Sequence, residues 1–516
     1  MHSSDWLAAQ ASASPQSQAL AADGTTLTYF EFHLRVNELC ARLNHAGIQP
    51  GDVLATVLQN TLDHACIAHA CVRLNLVFAP LNTRLTGSEL AWQLDRIRAN
   101  LVIVDSEERL QPLRAPDRLC LTCAVLNGPD HAQPTQTVGV IARAPAALRS
   151  DDRWQYNQPL AIMFTSGTTS KPKAAMISHE NVFFNAVCSA ARLGTLPNDR
   201  WLMCLPLFHI GGLVMLFRAC LQESCVQLVT KFDVTAVNHA LDYDGITLIS
   251  LVPTMLHQLL QARAAPPPDL RAILLGGAAA SDQLVSGARS LGYPIAITYG
   301  LTEATSQVAT SHVNTSQVNT PEITSGIGSA LSVGKPLLFT AVRILTEGGT
   351  AAAPGEIGEI CVRGPSVMMG YFDEPTNPIS DGELHTGDMG YLGTAGDLYV
   401  VQRRTDLIVS GGENVYPAEV EAILRQHPQV SDVCVVGIPD PMWGQRVAAM
   451  VTVRSPATVA EIDAYCRERL AGFKVPRTIT MVDALPMTES GKIARSVVQA
   501  TIAASQHIRE HENSVK

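Results

Sequence analysis

Strand-like and helix-like segments alternate along much of the chain, and this alternation limits the fold more than any other feature of the sequence. A buried strand is predicted at Val53–Leu58, a helix at about Asp63–Asn75 and a further strand at Leu101–Asp105. The pattern continues with apolar strands at Leu160–Phe164, Ile246–Leu251 and Ala272–Leu275. Repeated β–α alternation favours parallel, doubly wound sheets with helices on both faces. We therefore expect an α/β fold with a large N-terminal domain of doubly wound sheets.

Local signals predict turns, helix ends and loops. Asp23-Gly24 is typical of a hairpin turn, and Thr28 with Glu31 has the capping-box spacing that opens a helix running to about Ala46. The Pro-rich stretch Ala115–Asp152 is expected to be irregular, and the Ser/Thr/Asn-rich stretch from Gln307 to Gly328 is expected to be a long surface loop.

The character of the sequence changes twice in its last third. Short strands punctuated by Gly and Pro begin near Gly334 and favour a small antiparallel sheet or β-barrel. A compact α+β pattern follows Arg403-Arg404, with helices predicted at Ala418–Arg425 and Ala460–Leu470. The predicted domains are an α/β body at 1–333, its β-rich subdomain at 334–403 and a small mobile C-terminal domain at 404–516.

Composition excludes several classes of partner. The chain has 37 basic and 47 acidic residues, a net charge of −10, which does not favour nucleic acid. The uncharged run Trp201–Phe217 only reaches the lower limit of roughly 17–25 residues for a spanning helix, and Pro206 interrupts it. We interpret it as strand, turn and helix, and we expect no stable membrane insertion.

The cysteines and the N-terminus indicate a cytoplasmic protein. The 12 cysteines are scattered through apolar segments, as is typical of thiols in a reducing compartment. The pair Cys120 and Cys123 forms a C-x-x-C, but no second pair completes a zinc site. The N-terminus has no basic segment followed by an apolar one, so we expect no secretory signal.

The strongest local motif is the loop Thr165–Lys173, TSGTTSKPK, directly after a predicted buried strand. Hydroxyls, backbone N–H groups and two lysines are suited to a polyphosphate, although the loop does not fit the Walker A pattern. Taken alone, such a loop is more often a solvated surface turn.

Other segments give this loop a context, and together they resemble the adenylate-forming superfamily of acyl-CoA synthetases, luciferases and peptide-synthetase adenylation domains. The similar segments follow the family order: TSGTTSKPK, LPLFHIGG (205–212), LLGGAAA (274–280), YGLTEA (299–304), HTGD (385–388), RRTDLIVSGGENVYPAEVE (403–421) and ESGKIAR (489–495). Each motif is weak alone, but the ordered set is specific.

The resemblance implies a two-step reaction that uses ATP, Mg²⁺ and coenzyme A. A carboxylate attacks the α-phosphorus of ATP to form an acyl-adenylate, and a thiol then displaces AMP. Lys492 resembles the catalytic lysine, Thr302 would hold the α-phosphate, and Glu303 would hold Mg²⁺. His209 resembles the pocket histidine that contacts the acyl group, beside Gly211.

Further positions follow from the same resemblance, and without it each would be an ordinary turn or core residue. The residues that would bind ATP or the coenzyme A thiol are Thr165, Ser166, Gly167, Thr168, Thr169, Lys171, Lys173, Gly276, Gly277, Ala278, Tyr299, Gly300, Asp388, Arg403, Gly411 and Gly412. The family hinge falls on Thr405. Two family glycines are replaced by Ser170 and Ala174, which would cost about 1–2 kcal/mol if either backbone needs a positive φ.

Within the superfamily the sequence is most similar to the o-succinylbenzoate–CoA ligases of menaquinone synthesis. Such a dicarboxylate needs a fixed cation or hydrogen-bond donors beside its unreacted carboxylate. Arg218 is the candidate cation, with Ser306 as a further donor. Alternatives are a CoA ligase for fatty or aryl acids, a carrier-loading adenylation module and a non-catalytic binding relative. The expected partners are a small carboxylic acid, ATP and coenzyme A. The sequence leaves the oligomeric state open, with a homodimer as one alternative.

Overall fold

The fold was obtained as a computed structural model, and the structure describes residues 2–3, 5–116, 118–123, 154–165, 172–196, 198–313, 331–375, 377–402, 407–487 and 493–514. The chain divides into two compact units. The larger unit contains Met1–Thr83, Ala91–Phe164 and Ala174–Arg403, and the smaller contains Arg84–Leu90, Thr165–Lys173 and Arg404–Lys516.

Ten helices begin in the described residues before position 400. They are α1 (Trp6–Ala13), α2 (Tyr29–His45), α3 (Leu62–Arg73), α4 (Gly87–Arg96), α5 (Glu107–Leu110), α6 (His179–Leu193), α7 (Ile210–Leu221), α8 (Val234–Tyr243), α9 (Pro253–Ala262) and α10 (Asp282–Ser290). Single 3₁₀ turns lie at Gln111–Leu113 and Thr302–Ala304.

The strands of the same region belong to three large sheets and one short pair. They are β1 (His2–Ser3), β2 (Gln18–Ala22), β3 (Thr25–Thr28), β4 (Val53–Val57), β5 (Val77–Pro80), β6 (Leu101–Val104), β7 (Leu119–Thr122), β8 (Trp154–Gln155), β9 (Pro159–Thr165), β10 (Lys173–Ser178), β11 (Arg200–Met203), β12 (Cys225–Leu228), β13 (Leu248–Leu251), β14 (Ala272–Leu275), β15 (Ile295–Leu301), β16 (Ser306–Thr310), β17 (Lys335–Pro336), β18 (Ala341–Leu345), β19 (Gly358–Arg363), β20 (Gly370–Tyr371), β21 (Ile379–Ser380), β22 (Glu383–Leu392) and β23 (Leu398–Gln402).

Two large sheets carry the predicted parallel pattern. The first has the order β20-β10-β9-β5-β4-β6-β7, and its pairs from β9 to β7 are parallel. The second has the order β17-β16-β15-β14-β13-β11-β12-β2-β3, with a parallel centre from β15 to β2 and antiparallel strands at both edges. One core of buried apolar side chains contains residues from both sheets and from α2, α3 and α7.

The third sheet is antiparallel, with the order β18-β19-β22-β21 and β23 paired to β22. It corresponds to the predicted short strands after Gly334. The boundary of this subdomain at residue 334 stays a prediction.

The smaller unit is α+β, as the sequence indicates. Its helices are α11 (Pro417–Arg425), α12 (Val459–Arg467) and α13 (Arg495–Ser514), and its strands are β24 (Ile408–Ser410), β25 (Glu413–Val415), β26 (Val430–Asp440), β27 (Gly444–Val453) and β28 (Thr478–Met481). These strands form one five-stranded sheet. Residues of α11 and α12 join one buried cluster on the sheet, and residues of α13 join another.

Local capping chemistry fixes several of these elements. The Thr28 hydroxyl accepts the Glu31 N–H and the Glu31 carboxylate accepts the Thr28 N–H, so the predicted capping box opens α2. Asp23 and Gly24 have φ values of 48° and 76° between the antiparallel strands β2 and β3, which confirms the predicted hairpin turn.

The uncharged run after Arg200 is strand, turn and helix, also as predicted.

Two predictions of irregular structure are wrong at their edges. Leu119–Thr122, inside the stretch expected to be irregular, is a parallel edge strand hydrogen-bonded to β6. Ser306–Thr310, at the start of the expected surface loop, pairs with β15. In both places an existing strand edge supplies hydrogen-bond partners that the local sequence does not reveal. Residues 124–153 and 314–330 lie outside the described residues.

An ion pair with a buried carboxylate joins the residues just before β11 and β14, the two strands of the second sheet that flank β13. The Asp199 side chain, 4% exposed, accepts hydrogen bonds from Arg271, the Thr247 hydroxyl and the Leu196 N–H. Burial raises the pKa of the Asp199 carboxyl, but these hydrogen bonds outweigh burial and leave that pKa below its ordinary value. None of the helices in the described part of the chain is both long and apolar enough to cross a membrane.

Candidate active site

The predicted phosphate loop joins β9 to β10. At its base the Thr165 hydroxyl donates to the Lys173 carbonyl, with 3.4 Å between the oxygen atoms. The predicted loop residues between these two anchors, Ser166, Gly167, Thr168, Thr169 and Lys171, lie outside the described residues. Their phosphate contacts therefore stay a prediction.

The alanine that replaces a family glycine fits its backbone. Ala174 lies in β10, is 1% exposed and accepts the Phe372 N–H at 2.7 Å. It is not among the residues with a positive φ, so the replacement causes no left-handed strain. The other replacement, Ser170, lies outside the described residues.

Two predicted nucleotide residues meet although 89 positions separate them. The Tyr299 hydroxyl donates to Asp388 Oδ2 at 2.8 Å, and both side chains are buried. The Asp388 N–H donates to Thr386 Oγ1 at 3.0 Å, and that hydroxyl donates to the Ile360 carbonyl at 2.6 Å. The aspartate is therefore held from its side chain and its backbone, an arrangement suited to a fixed hydroxyl-binding carboxylate.

The predicted magnesium ligand has a buried, oriented carboxylate. Glu303 is 6% exposed, and its Oε1 accepts the Tyr371 hydroxyl at 2.7 Å. Thr302 precedes it in the 3₁₀ turn, and the Glu303 carbonyl accepts the Met368 N–H. A carboxylate is a hard oxygen donor of the type that Mg²⁺ prefers, so the donor chemistry at Glu303 fits the ion.

A close backbone contact requires glycine beside this turn. A Cβ atom on Gly300 would lie 1.4 Å from the Ser306 carbonyl oxygen. The intervening chain reverses sharply, since Thr305 and Ser306 have φ values of 52° and 85°. Positive φ is costly for such side chains, especially for a β-branched residue, and it persists only where the surroundings enforce it. The hairpin that carries Thr302 and Glu303 is thus unusually tight.

The glycines predicted to lie along adenine follow β14. Gly276, Gly277 and Ala278 come directly after the end of this strand, and β14 is parallel to β15, which carries Tyr299. Ligands of open α/β sheets bind at the carboxyl ends of parallel strands, so this edge of the second sheet is where a nucleotide is expected.

The acyl-pocket segment is fixed by an asparagine that follows the end of β4. His209 immediately precedes α7, and its ring lies 4.8 Å from that of Phe208. Asn60, 4% exposed, donates to the Leu205 carbonyl and accepts the Leu207 N–H, at 3.1 and 3.2 Å. These two hydrogen bonds satisfy backbone groups of the turn that have no partner in a helix or sheet. They thereby position the segment that precedes Gly211.

Arg218 lies on the same helix and is buried. Its side chain is 2% exposed, Nη2 donates to Asn185 Oδ1 at 3.0 Å, and the guanidinium carbon lies 5.7 Å from the centre of the Trp201 ring. Burial lowers the pKa of Arg218 to about 10. The side chain is therefore inside the protein, where the sequence alone equally allowed a solvent-facing arginine.

In the smaller unit, Gly411 and Gly412 form the two-residue turn between β24 and β25, with φ values of 59° and 83°. This is a tight hairpin turn, and its predicted contact with coenzyme A stays a prediction. Arg403, Thr405 and Lys492 lie outside the described residues, so the structure gives no placement for them.

Three residues that orient predicted site groups were missed from the sequence: Asn60, Tyr371 and Asn185. Asn60 had a usable signal, because a polar residue just past the carboxyl end of a buried parallel strand is a frequent site position. Tyr371 and Asn185 had none, since a strand tyrosine and a helix asparagine acquire a partner only through the tertiary fold.

Comparison with known proteins identifies the family of the chain. A family model described as AMP-binding enzyme matches residues 7–372, and one for the AMP-binding enzyme C-terminal domain matches residues 419–492. The 2-succinylbenzoate–CoA ligase of Bacillus cereus is 36% identical over 497 residues, which are 95% of this chain and 97% of that protein.

Solved structures of other proteins also resemble this chain over nearly its whole length. One is a double mutant of o-succinylbenzoate CoA synthetase from Bacillus subtilis bound to the product analogue OSB-NCoA. It has a TM-score of 0.86 at 34% identity and covers 96% of this chain and 98% of its own. The same synthetase with ATP and magnesium has a TM-score of 0.69 at 34% identity, with 96% and 99% coverage.

The fold and these relatives place the chain in the adenylate-forming class of enzymes. The chain belongs to the AMP-binding enzyme family, and the predicted family and α/β fold class are confirmed.

Proposed function

We propose that the chain is an AMP-forming acid–thiol ligase that joins 2-succinylbenzoate to coenzyme A, a reaction of menaquinone biosynthesis. The acid, ATP and coenzyme A give acyl-CoA, AMP and pyrophosphate through an acyl-adenylate. The observation that carries the choice of acid is Arg218, a buried cation on the helix that follows the acyl-pocket segment.

The first step joins two anions, so groups that stabilise the developing negative charge contribute most to the rate. An oxygen of the acid attacks the α-phosphorus and the bond to pyrophosphate breaks. In this proposal Lys492 contacts the carboxylate and the α-phosphate, Thr302 donates to that phosphate, and Glu303 holds Mg²⁺, which neutralises phosphate charge when bound. Asp388, oriented by Tyr299, accepts the ribose hydroxyls.

In the second step the coenzyme A thiol attacks the acyl carbon, the bond to AMP breaks, and the thiol proton passes to solvent. His209 is proposed to contact the acyl group beside Gly211. Gly411 and Gly412 are proposed to admit the pantetheine arm, and Thr405 is proposed as the hinge of the C-terminal domain.

Arg218 supports a second carboxylate on the substrate because its charge is poorly compensated by the protein. The guanidinium donates to one neutral acceptor, the Asn185 amide oxygen, and makes no ion pair with any carboxylate of the described residues. An isolated buried charge is costly, and pairing it with an anion recovers much of that cost. A monocarboxylic fatty or aryl acid would leave this cation unpaired.

Other buried donors lie on the elements that pack against the helix of this arginine. Within the described residues, Arg218 Nε, Asn185 Nδ2, Ser189 Oγ and Trp201 Nε1 have no hydrogen-bond partner. Asn185 and Ser189 lie one turn apart on α6, which packs against α7, and α7 also contacts β11, which carries Trp201. A cluster of donors without acceptors is complementary to an anion, and a carboxylate offers about four lone pairs.

The spacing along α7 suits a substrate that reaches from the pocket entrance to this cluster. Gly211 and Arg218 are seven residues apart, so they share one face and are separated by about 10 Å along the helix axis. Ser306 is proposed as a further donor to the substrate, since it lies at the tight turn after Glu303.

The test measures pyrophosphate release with a panel of acids, with and without coenzyme A. The informative pair is 2-succinylbenzoate and 4-oxo-4-phenylbutanoate, which differ only by the ring carboxylate. We expect pyrophosphate release with the first acid, and acyl-CoA formation when coenzyme A is added. Release with fatty acids alone would favour the fatty-acid ligase, and no release with any acid would favour a non-catalytic binding protein.

We further propose that the protein works in the cytoplasm. All 12 cysteines are free thiols, which suits a reducing compartment. A homodimer stays the alternative to a monomer, and sedimentation equilibrium of the purified chain distinguishes the two.

A further inference from the structure

Three potential metal ligands meet on the antiparallel β19–β22 pair, in the larger unit and separate from Glu303. Glu359 and Cys361 are two residues apart on β19, and Cys361 lies directly opposite His385 on β22. Their ligand atoms, a carboxylate oxygen, the sulfur and a ring nitrogen, all lie within 4.8 Å of one another. The irregular register between Glu359 and Cys361 helps to bring both side chains to the same histidine.

Two of the three distances between the ligand atoms are close to those around a tetrahedral zinc ion. Cys361 Sγ lies 3.5 Å from His385 Nδ1, and the same nitrogen lies 3.1 Å from Glu359 Oε2. With a Zn–S bond of about 2.3 Å and Zn–N and Zn–O bonds of about 2.05 Å, tetrahedral angles require an S···N separation of about 3.6 Å and an N···O separation of about 3.3 Å. These two distances need shifts of a few tenths of an ångström. The third, from Sγ to the Glu359 oxygen, lies within 4.8 Å and has to close to about 3.6 Å.

Solvent can reach this cluster from one side. Cys361 is buried, whereas the His385 and Glu359 side chains are 37% and 31% exposed. An ion held by these three groups would thus keep its fourth position open to water, as three-ligand zinc sites do.

The hydrogen bonds of Glu359 explain part of the arrangement without a metal. Its Oε1 accepts the Gly387 N–H at 2.9 Å and its Oε2 lies against His385, which orders the chain just before Asp388. This role does not require a sulfur atom beside the imidazole. The thiol at position 361 is what converts a hydrogen-bonded pair into a possible ligand set.

We propose that Glu359, Cys361 and His385 bind one divalent cation of the Zn²⁺ type. Thiolate and imidazole ligands favour Zn²⁺ and Co²⁺ and disfavour Mg²⁺, which prefers oxygen. The thiol loses its proton to solvent as its sulfur binds. The bound ion would fasten β19 to β22 immediately before the Asp388 segment, and the site is independent of the proposed ligase reaction.

The test titrates Co²⁺ into the reduced, untagged full-length chain and follows the thiolate-to-cobalt charge-transfer band. We expect saturation at one equivalent, loss of the band when one equivalent of Zn²⁺ is added, and no competition from a large excess of Mg²⁺. Absence of a saturable band would overturn the proposal.

Variants assign the band to these residues. Cys361→Ser should abolish it, and Glu359→Gln, which keeps the sulfur and can still accept hydrogen bonds, should keep the band while weakening Co²⁺ binding at least about tenfold. The matched control Cys434→Ser removes a buried thiol in the smaller unit and should leave the titration unchanged.

A fourth variant tests whether Co²⁺ binds at a different pair of cysteines. The double variant Cys120→Ser/Cys123→Ser removes the C-x-x-C pair and should bind Co²⁺ as the wild type does. Loss of the band in this double variant, or its persistence at full affinity in folded Cys361→Ser, would overturn the proposal. Circular dichroism of each variant establishes that it is folded.

Discussion

Replacing Arg218 with methionine tests the choice of acid most directly. Methionine fills much of the same space without the charge, so the packing against Trp201 is largely kept while the cation is lost. Because the wild-type guanidinium is buried without a carboxylate partner, its removal should leave the free energy of unfolding nearly unchanged or raise it. The melting temperature therefore serves as the control for folding.

The size of the effect on substrate follows from the burial of this arginine. Losing one partner of a buried, hydrogen-bonded charge pair costs about 2–5 kcal/mol, because the other charge is left unpaired. Taking about 3 kcal/mol, we expect kcat/KM for 2-succinylbenzoate to fall roughly 150-fold in Arg218→Met. KM for ATP should change by no more than about twofold, since the nucleotide makes no use of this cation.

The assay compares two acids in two proteins by pyrophosphate release. With 4-oxo-4-phenylbutanoate, which lacks the ring carboxylate, the wild type should be slow and Arg218→Met should be no slower. The loss specific to 2-succinylbenzoate then measures the coupling between the arginine and that carboxylate. Equal increases in KM for the acid and for ATP, or equal losses with both acids, would refute the reasoning.

Three further substitutions test the rest of the structure. Tyr299→Phe leaves the buried Asp388 carboxylate without one hydrogen-bond donor, which costs about 1 kcal/mol of ATP binding. KM for ATP should therefore rise about fivefold. An unchanged KM for ATP would contradict the proposed ribose contact. Asp199→Asn disrupts the buried ion pair and should lower the free energy of unfolding by about 2 kcal/mol. Because the folded-state pKa of Asp199 is below its ordinary value, the difference in free energy of unfolding between wild type and Asp199→Asn should be complete above about pH 5. In urea titrations this difference should shrink as the pH falls through about 4 towards the folded-state pKa. Gly300→Ala forces a Cβ into a backbone carbonyl and should cost at least about 3 kcal/mol in urea unfolding, whereas the control Gly287→Ala, with open space at its Cβ, should be neutral or stabilising.

Elements governed by local chemistry were predictable from the sequence. The capping box at Thr28 and the hairpin turn at Asp23-Gly24 act within a few residues, and both form as predicted. The strands Leu119–Thr122 and Ser306–Thr310 were not predictable, since each exists because a neighbouring strand offers a hydrogen-bonding edge.

The candidate site divides in the same way. The resemblance in motif order predicts Tyr299, Glu303 and Asp388 as site residues, because binding a nucleotide and Mg²⁺ demands particular residue types. Tyr371, whose hydroxyl donates to Glu303 from 68 residues further along the chain, belongs to no motif, so the sequence did not predict this contact.

The sequence by itself determined the family, the alternation of strands and helices, and the kinds of group available for catalysis. The tertiary structure alone decided that Arg218 is buried beside Asn185, that Ala174 fits where a glycine was expected, and that Cys361 faces His385. The physical reason is that burial and strand register depend on contacts between segments distant in the chain. Local composition and periodicity do not specify those contacts.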